Sequence, residues 1–369
     1  MKAWTYTARG TPSQVLKLRH DIPEPRSSDL KPGEVLIKVS HVALFAPHVK
    51  LMILAPHFND NPWIPENEFS GTVVAASDAD STTLIKPLVP GFQPGDLVFG
   101  MLDPRLSRSY NGVLAEYIIM PEAAVVSRPV HVKPEEAAGF SGAGCTAIQF
   151  SELSGLLKII PDPGDDRERV TSTGRGKKIL VTAGSSGTGV MMVQLAKQLV
   201  GNGGCVVVTC SERNAKVLRD VGADEVIDYT KHNKLHEHLA AEHSKNPFDV
   251  IVDVAGSDPR LFARSPAYLK KDGTFIFAGN MPVTFSNSEN TLTAGLLFVY
   301  QVISWLFWIW INSIWPVALG GVPRRGTFHS GKIDRRTLEL VGQLVEEGKV
   351  KGVVDSVWAM EDALKTSIP

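Results

Sequence analysis

Hydrophobic and polar positions follow two different rhythms along the chain. Up to about residue 125, short runs of β-branched and apolar residues alternate with polar ones at 2–6, 15–20, 34–44, 68–75, 96–100 and 115–120. Turn residues separate them, among them Lys31-Pro32-Gly33 and Gln93-Pro94-Gly95-Asp96. Runs of period two bounded by Gly and Pro predict short strands in a small, partly closed all-β unit. From residue 178 the rhythm changes. An apolar run at 178–183 leads into a Gly/Ser loop, and helical spacing follows through Val190, Val193, Leu195, Ala196 and Leu199. Further strands are predicted at 205–210, 225–229, 248–255 and 273–279, with helices at 212–221, 231–242 and 259–269. Strands alternating with helices of about ten residues predict βαβ units and a parallel sheet. Its continuous, β-branched strands suit burial on both faces.

Three stretches stand outside these rhythms. Residues 161–176 have no apolar period and are rich in charge, Gly and Pro, which predicts an exposed, flexible loop. Residues 290–323 carry no charge and include Trp305, Trp308, Trp310 and Trp315. After them the pattern predicts a short strand at 327–330 and an amphipathic helix at 334–347 through Leu338, Leu340, Val341 and Leu344. A strand at 350–357 and the start of a helix at 360–365 complete the reading.

Composition narrows the class. The 369 residues contain 38 Lys+Arg against 39 Asp+Glu, for a net charge of −1, and 43% are hydrophobic. That length suggests two domains, and that apolar share supports a real core. The balanced charge argues against a general nucleic-acid binder. The three cysteines, Cys145, Cys205 and Cys210, supply neither a disulfide framework nor a four-cysteine zinc site. The start MKAWTYTARG has no apolar signal core, so the expected location is cytoplasmic, with membrane association left open by 290–323.

The strongest chemical signal is the strand 179–183 running into Gly184-Ser185-Ser186-Gly187-Thr188-Gly189 and then a helix. Glycines let the chain turn tightly and bring backbone N–H groups close to a pyrophosphate, and the helix N-terminus adds free donors and partial positive charge. An NAD-binding chain usually places Asp or Glu at the tip of the second strand. Here the tip reads Thr209-Cys210-Ser211-Glu212-Arg213-Asn214. Ser and Arg suit a 2′-phosphate, which favours NADPH, while Glu212 is the dissenting residue.

At this point the chain resembles the medium-chain dehydrogenase/reductase superfamily, in its zinc-free, quinone-oxidoreductase-like branch. The resemblance rests on an ordered set of motifs: residues 31–39 (KPGEVLIKV), 69–73 (FSGTV), 92–98 (FQPGDLV), 111–117 (NGVLAEY), 144–147 (GCTA), the glycine loop, 222–229 (GADEVIDY) and 248–256 (FDVIVDVAG). It implies an α/β architecture in which a GroES-like β-rich catalytic domain stands beside a doubly wound Rossmann sheet. The catalytic domain would span 1–125 and be completed by 325–369, and the NADP-binding domain would span 126–324. The cofactor would lie in the cleft between them. The resemblance also implies roles for residues. Gly184, Ser185, Ser186, Gly187, Thr188 and Gly189 would hold pyrophosphate, and Ser211 and Arg213 the 2′-phosphate. Tyr229 would flank adenosine, and Ala255, Gly256, Ala278 and Gly279 would line the nicotinamide ribose. Thr146 would sit beside the nicotinamide.

Zinc-dependent relatives need a Cys in the early loop and a His in a Gly-His-Glu motif. This chain has Leu44-Phe45-Ala46-Pro47-His48 in the first place and Glu66-Asn67-Glu68 in the second. Asn67 stands for the His, and His48 and His57 are candidate ligands by type only, so no metal is expected. Without that Lewis acid, hydride delivery to an already electrophilic acceptor remains feasible. The expected activity is NADPH-dependent reduction of a small lipophilic quinone, enone or similar carbonyl compound. His48 and Tyr110 are the candidate proton donors.

Two departures from the family follow. The resemblance implies a further helix and strand beyond Met360-Glu361-Asp362-Ala363-Leu364, whereas the sequence ends at Pro369, leaving an expected unpaired edge in the β-domain. The stretch 290–323 leaves four roles open: a homodimer contact, a lid over the substrate, peripheral contact in the plane of a membrane, or a span. Two alternatives to the main reading therefore stand: a tailoring enoyl reductase of a biosynthetic pathway, or a catalytically weak, membrane-associated relative.

Overall fold

The computed structural model describes residues 1–45, 48–49, 52–53, 62–77, 91–102, 112–162, 168–256, 258–278, 300, 303–304, 307, 315–319 and 321–365. The candidate residues His57, Tyr110 and Gly279 and most of 290–323 lie outside them. The chain divides into two units, one of Met1–Cys145 with Lys332–Pro369 and the other of Thr146–Pro163 with Arg167–Gly331.

The first unit is an antiparallel β structure. Strands β1 (Ala3–Thr5) and β2 (Lys17–Arg19) pair with each other. Strands β3 (Glu34–Ala43), β4 (Glu68–Ala76), β5 (Leu97–Met101), β6 (Tyr117–Pro121) and β7 (Val125–Ser127) form a five-stranded sheet in the order β6-β3-β4-β5-β7. Register is set by the apolar face. Ile37 lies opposite Val73 and Ile118, and Val35 opposite Met120, so these side chains meet Phe69, Val98 and Val125 in one core. The helix Arg335–Glu346 packs on β7 and buries Leu338, Leu340, Val341 and Leu344. Its N-cap Asp334 accepts the Thr337 N–H at 2.9 Å. The two ends of the chain meet in this unit: Trp4 Nε1 donates to the Met360 carbonyl at 2.7 Å, and Lys2 pairs with Glu361 at 2.9 Å.

The second unit is a parallel sheet. Strands β8 (Leu157–Pro161) and β9 (Glu168–Ser172) form a hairpin. Strands β10 (Lys178–Val181), β11 (Cys205–Cys210), β12 (Glu225–Asp228), β13 (Phe248–Asp253), β14 (Leu269–Ala278) and β15 (Arg325–His329) follow in the order β12-β11-β10-β13-β14-β15. All neighbours run parallel. Ile179, Leu180, Val206, Val207 and Val208 are fully buried, as a strand covered on both faces requires. The order reverses between β10 and β13, which makes the ends of these strands the switch point of the sheet. The two units are thus a GroES-like β-domain and a six-stranded Rossmann domain, the α/β architecture that the motifs imply.

Several elements differ from the sequence expectation. The stretch 161–176 is not a loop throughout, because Glu168–Ser172 pairs with β8 from Leu157↔Ser172 to Pro161↔Glu168. Backbone pairing forms this strand, and its half-exposed side chains leave no apolar period to read. The residues at 325–329 complete the parallel sheet beside β14, so the chain returns to the first unit only at Lys332. The expected strand at 350–357 is absent. Its β-branched residues Val353, Val354 and Val357 are exposed, and no strand pairs with them among the described residues. The expected helix at 259–269 breaks into Arg260–Ala263 and a 3-10 turn Ser265–Ala267, where Pro266 lacks the donor that a continuing helix needs. No described helix is long and apolar enough to cross a membrane.

Candidate functional site

The second unit gathers one set of candidate residues at the C-terminal ends of its strands. After β10 the chain turns through Ala183, which sits in the left-handed region at φ 47°. The turn is pinned to β11, since the Ala183 N–H donates to Thr209 Oγ1 at 3.2 Å and the Gly184 N–H to the Thr209 carbonyl at 2.9 Å. The three glycines do different work. A Cβ on Gly184 would fall 1.9 Å from Val208 Cγ1, and one on Gly189 2.3 Å from the Ala183 carbonyl oxygen. On Gly187 it would meet nothing within 4 Å. The outer two glycines allow close packing, and the middle one leaves space before the helix Gly187–Val200. Ser186 caps that helix by accepting the Gly189 N–H at 3.1 Å. The N–H groups of Gly187 and Thr188 have no intrahelical acceptor, and Ser185, Ser186 and Gly187 are exposed. Such a terminus can receive an anion.

A buried tie holds the switch point. Thr182 Oγ1 donates to Asp253 Oδ1 at 2.6 Å and accepts the Ala255 N–H at 3.0 Å. Gly256, at φ 61°, donates its N–H to the same Asp253 oxygen at 3.2 Å. Burial pushes the Asp253 carboxyl above the ordinary carboxylate range, and these donors pull it back. The roles of Thr182, Thr209 and Asp253 escaped the sequence reading, although the last two fall inside the quoted stretches, because a bond that a buried side chain makes across two strands leaves no periodic signal.

At the ends of β11 and β12, Ser211 precedes a 3-10 turn Glu212–Asn214 that exposes Arg213, and Tyr229 is exposed after Asp228. Glu212, the dissenting acid, pairs with Lys231 at 2.7 Å. Lys231 also lies 3.5 Å from Asp228, whose carboxyl accepts the Thr230 N–H and hydroxyl. Those bonds hold Asp228 below its usual range, the Thr230 hydroxyl contributing most. Lys231 is a residue that the sequence reading missed. Ala278 is buried at the end of β14. Thr146 lies against the turn after β15, where a Cβ on Gly331 would fall 2.3 Å from Thr146 Oγ1. Ser211, Arg213, Tyr229, Ala255, Gly256 and Ala278 therefore share one edge of the sheet with the glycine turn.

The first unit holds the other set. Glu66, Asn67 and Glu68 are all buried just before and at the start of β4. Glu66 Oε2 accepts the Phe45 N–H at 2.8 Å, and Glu68 Oε2 accepts the Gly142 N–H at 3.0 Å. Burial pushes the Glu66 carboxyl up to about 8 and that of Glu68 up to about 7. His48 is buried too, its Nδ1 3.9 Å from Glu66 Oε2, and burial lowers its basicity to about 4. His48 Nδ1 and Asn67 Nδ2 are shut from solvent and have no hydrogen-bond partner among the described residues. An amide replaces the expected imidazole, each carboxyl is engaged by a backbone N–H, and no three metal-ligating side chains converge among the described residues.

Comparison with known proteins agrees with this division. The family described as alcohol dehydrogenase GroES-like domain matches residues 31–130, and that described as zinc-binding dehydrogenase matches 187–305. A trans-enoyl reductase of Penicillium oxalicum is 34% identical, covering 98% of this chain and 92% of the relative. A chloroplast envelope quinone oxidoreductase homolog of Arabidopsis thaliana is 29% identical over 100% of this chain and 95% of its own. The solved quinone oxidoreductase of Coxiella burnetii shares the fold, with a TM-score of 0.66 and 23% identity over 99% of this chain and 93% of that one.

Proposed function

The chain belongs to the medium-chain dehydrogenase/reductase superfamily, and from that premise we propose that it is an NADPH-dependent, zinc-independent reductase of enoyl compounds, that is, of C=C bonds conjugated to a carbonyl group. The observation that carries the zinc-independent reading is the buried Glu66-Asn67-Glu68 run. Its donor set offers a metal one amide and two carboxyls already bonded to backbone. An acceptor with a polarised C=C needs no Lewis acid to become electrophilic. The relatives named as trans-enoyl reductases favour this acceptor over a quinone.

Reduced nicotinamide supplies a hydride when bound. The N–H groups of Gly187 and Thr188 would hold the pyrophosphate, with the outer glycines keeping the turn tight. Ser211 and Arg213 would hold the 2′-phosphate, because Glu212 is drawn to Lys231 rather than left free to repel it. Tyr229 would flank the adenosine, Ala255, Gly256 and Ala278 the nicotinamide ribose, and Thr146 the nicotinamide. His48 would supply the proton that completes the reduction.

A screen of enones, enoyl thioesters, quinones and aldehydes, followed by NADPH absorbance, tests the reading. Turnover of the conjugated enoyl acceptors is expected. Turnover of quinones alone would favour the second reading, a quinone reductase, for which the relative from Arabidopsis thaliana speaks. One tightly bound zinc per chain would overturn the metal-free assignment.

A further inference from the structure

A buried, neutral imidazole is a poor source of protons. His48 has this character, since burial holds its basicity far below that of a free histidine. It can release a proton from Nε2 only if another arrives at Nδ1 in the same event. The group facing Nδ1 is the Glu66 carboxyl, with Oε2 at 3.9 Å. That spacing is longer than a hydrogen bond, as is common before a substrate tightens a site. Because its carboxyl is buried, Glu66 keeps its proton at neutral pH, as an acid in an apolar site does.

The backbone around Glu66 is built to aim it. Glu66 sits at φ 68°, a conformation that costs a non-glycine residue and persists only when its surroundings impose it. They do so through three bonds: Gly112 N–H to the Ile64 carbonyl at 2.7 Å, Val113 N–H to that of Glu66 at 3.0 Å, and Leu114 N–H to that of Pro65 at 3.1 Å. A Cβ on Gly112 would fall 2.3 to 2.5 Å from the carbonyl oxygens of Ile64, Pro65 and Glu66, so only glycine lets the two segments meet. On the other side, the Phe45 N–H fixes Oε2, and the His48 N–H in turn donates to the Phe45 carbonyl at 2.8 Å. Among the described residues, the titratable groups that face Glu66 are His48, across the turn, and Glu68, two residues along the chain. Glu68 is itself buried and favours the neutral form of Glu66 by repulsion.

We propose that Glu66 is a positioning residue that passes a proton to His48 Nδ1 so that His48 can protonate the enolate left by hydride addition. This rests on the enoyl-reductase reading above. The hydride from NADPH forms a C–H bond at the β-carbon, and the π pair moves onto the enolate. The α-carbon then takes the Nε2 proton of His48, Nδ1 takes the Glu66 proton, and the Glu66 O–H bond breaks to leave a carboxylate. Between turnovers Nδ1 returns its proton to the Glu66 carboxylate as Nε2 takes one from water, which restores both starting forms. One hydride and one solvent proton enter, and NADP⁺ and the saturated carbonyl compound leave.

Glu66→Gln tests the relay, because an amide still accepts the Phe45 N–H and can donate to Nδ1 but has no proton to give. The wild-type rate is expected to fall as pH rises through about 8. In Glu66→Gln, kcat at pH 7 should drop about 100-fold with KM and NADPH affinity unchanged, and the alkaline limb should disappear. Reduction in D2O should label one face of the α-carbon in the wild type and both faces in the variant. His48→Gln/Glu66→Gln should be no slower than either single change. A variant with wild-type rate, pH profile and labelling overturns the relay alone. A wild-type chain that oxidises no NADPH with enoyl acceptors overturns the relay together with the reading on which it rests. If the variant fails to fold, the ¹³C carboxyl titration of Glu66 in the wild type decides, and a midpoint at the ordinary 4.5 overturns the proposal.

Discussion

Both units bury carboxyl groups, and they treat them differently. Asp253 in the second unit receives two donors on one oxygen, the Thr182 hydroxyl and the Gly256 N–H, and Thr182 is itself bonded to the Ala255 N–H. It stitches the ends of β10 and β13 together. Among the described residues, Glu66 and Glu68 in the first unit receive one backbone donor each, beside an imidazole and an amide with unpartnered nitrogens. A buried acid supplied with donors works as a fastener. One left short of them keeps its proton and remains available for chemistry.

The contrast can be broken at several points. The largest effect is expected from Gly112→Val. The new side chain would strike backbone oxygens that cannot retreat, so stability should fall by about 3 kcal/mol or more. Enoyl reduction should vanish while NADPH fluorescence still reports binding, because the nucleotide residues lie in the other unit. Next comes Thr182→Val, which strips a donor from Asp253 and an acceptor from Ala255. Urea unfolding should show a loss of about 1–3 kcal/mol, and NADPH should bind more weakly. Arg213→Ala should weaken NADPH about tenfold and leave NADH unchanged in a fluorescence titration. Equal weakening of both cofactors would remove the 2′-phosphate assignment.

The last test concerns pH. Glu66 and Glu68 hold protons more tightly when folded than at the ordinary value of 4.5. The folded chain therefore binds more protons than the unfolded one between pH 4.5 and about 8. Their stabilising contribution is complete below 4.5 and is lost as pH rises through about 7 and about 8. Thermal melts should show that decline, and Glu68→Gln should flatten part of it. A wild-type melting temperature that rises from pH 5 to 8.5 would contradict the assigned protonation.

What the sequence disclosed follows from the same physics. The parallel sheet was readable because a strand covered on both faces must be apolar throughout, as Val206–Val207–Val208 is. The glycine turn was readable because a close approach of backbone to backbone excludes a Cβ, so geometry is written as residue type. The hairpin of β8 and β9 was hidden because backbone pairing between half-exposed strands leaves no apolar period. The pattern at 350–357 misled for the opposite reason, since β-branched residues suit a strand but do not provide a partner. In the first unit, His48 was singled out as a candidate by residue type. Its neighbour Glu66 was not, because the left-handed turn that aims it is imposed by Gly112–Leu114, about fifty residues away in sequence.

The joining of the two chain ends has a consequence for how this protein is made. A ribosome releases residues in order, and the second unit is complete once Gly331 has emerged. The first unit, begun earlier, still lacks its closing helix and the contacts of Met360 with Trp4 and of Glu361 with Lys2. The domain that starts first therefore finishes last, and its sheet, with all five strands made, must wait uncovered through the synthesis of the whole nucleotide domain. During that interval β7 stands without the helix that covers it, which is when a chaperone would have the most to hold.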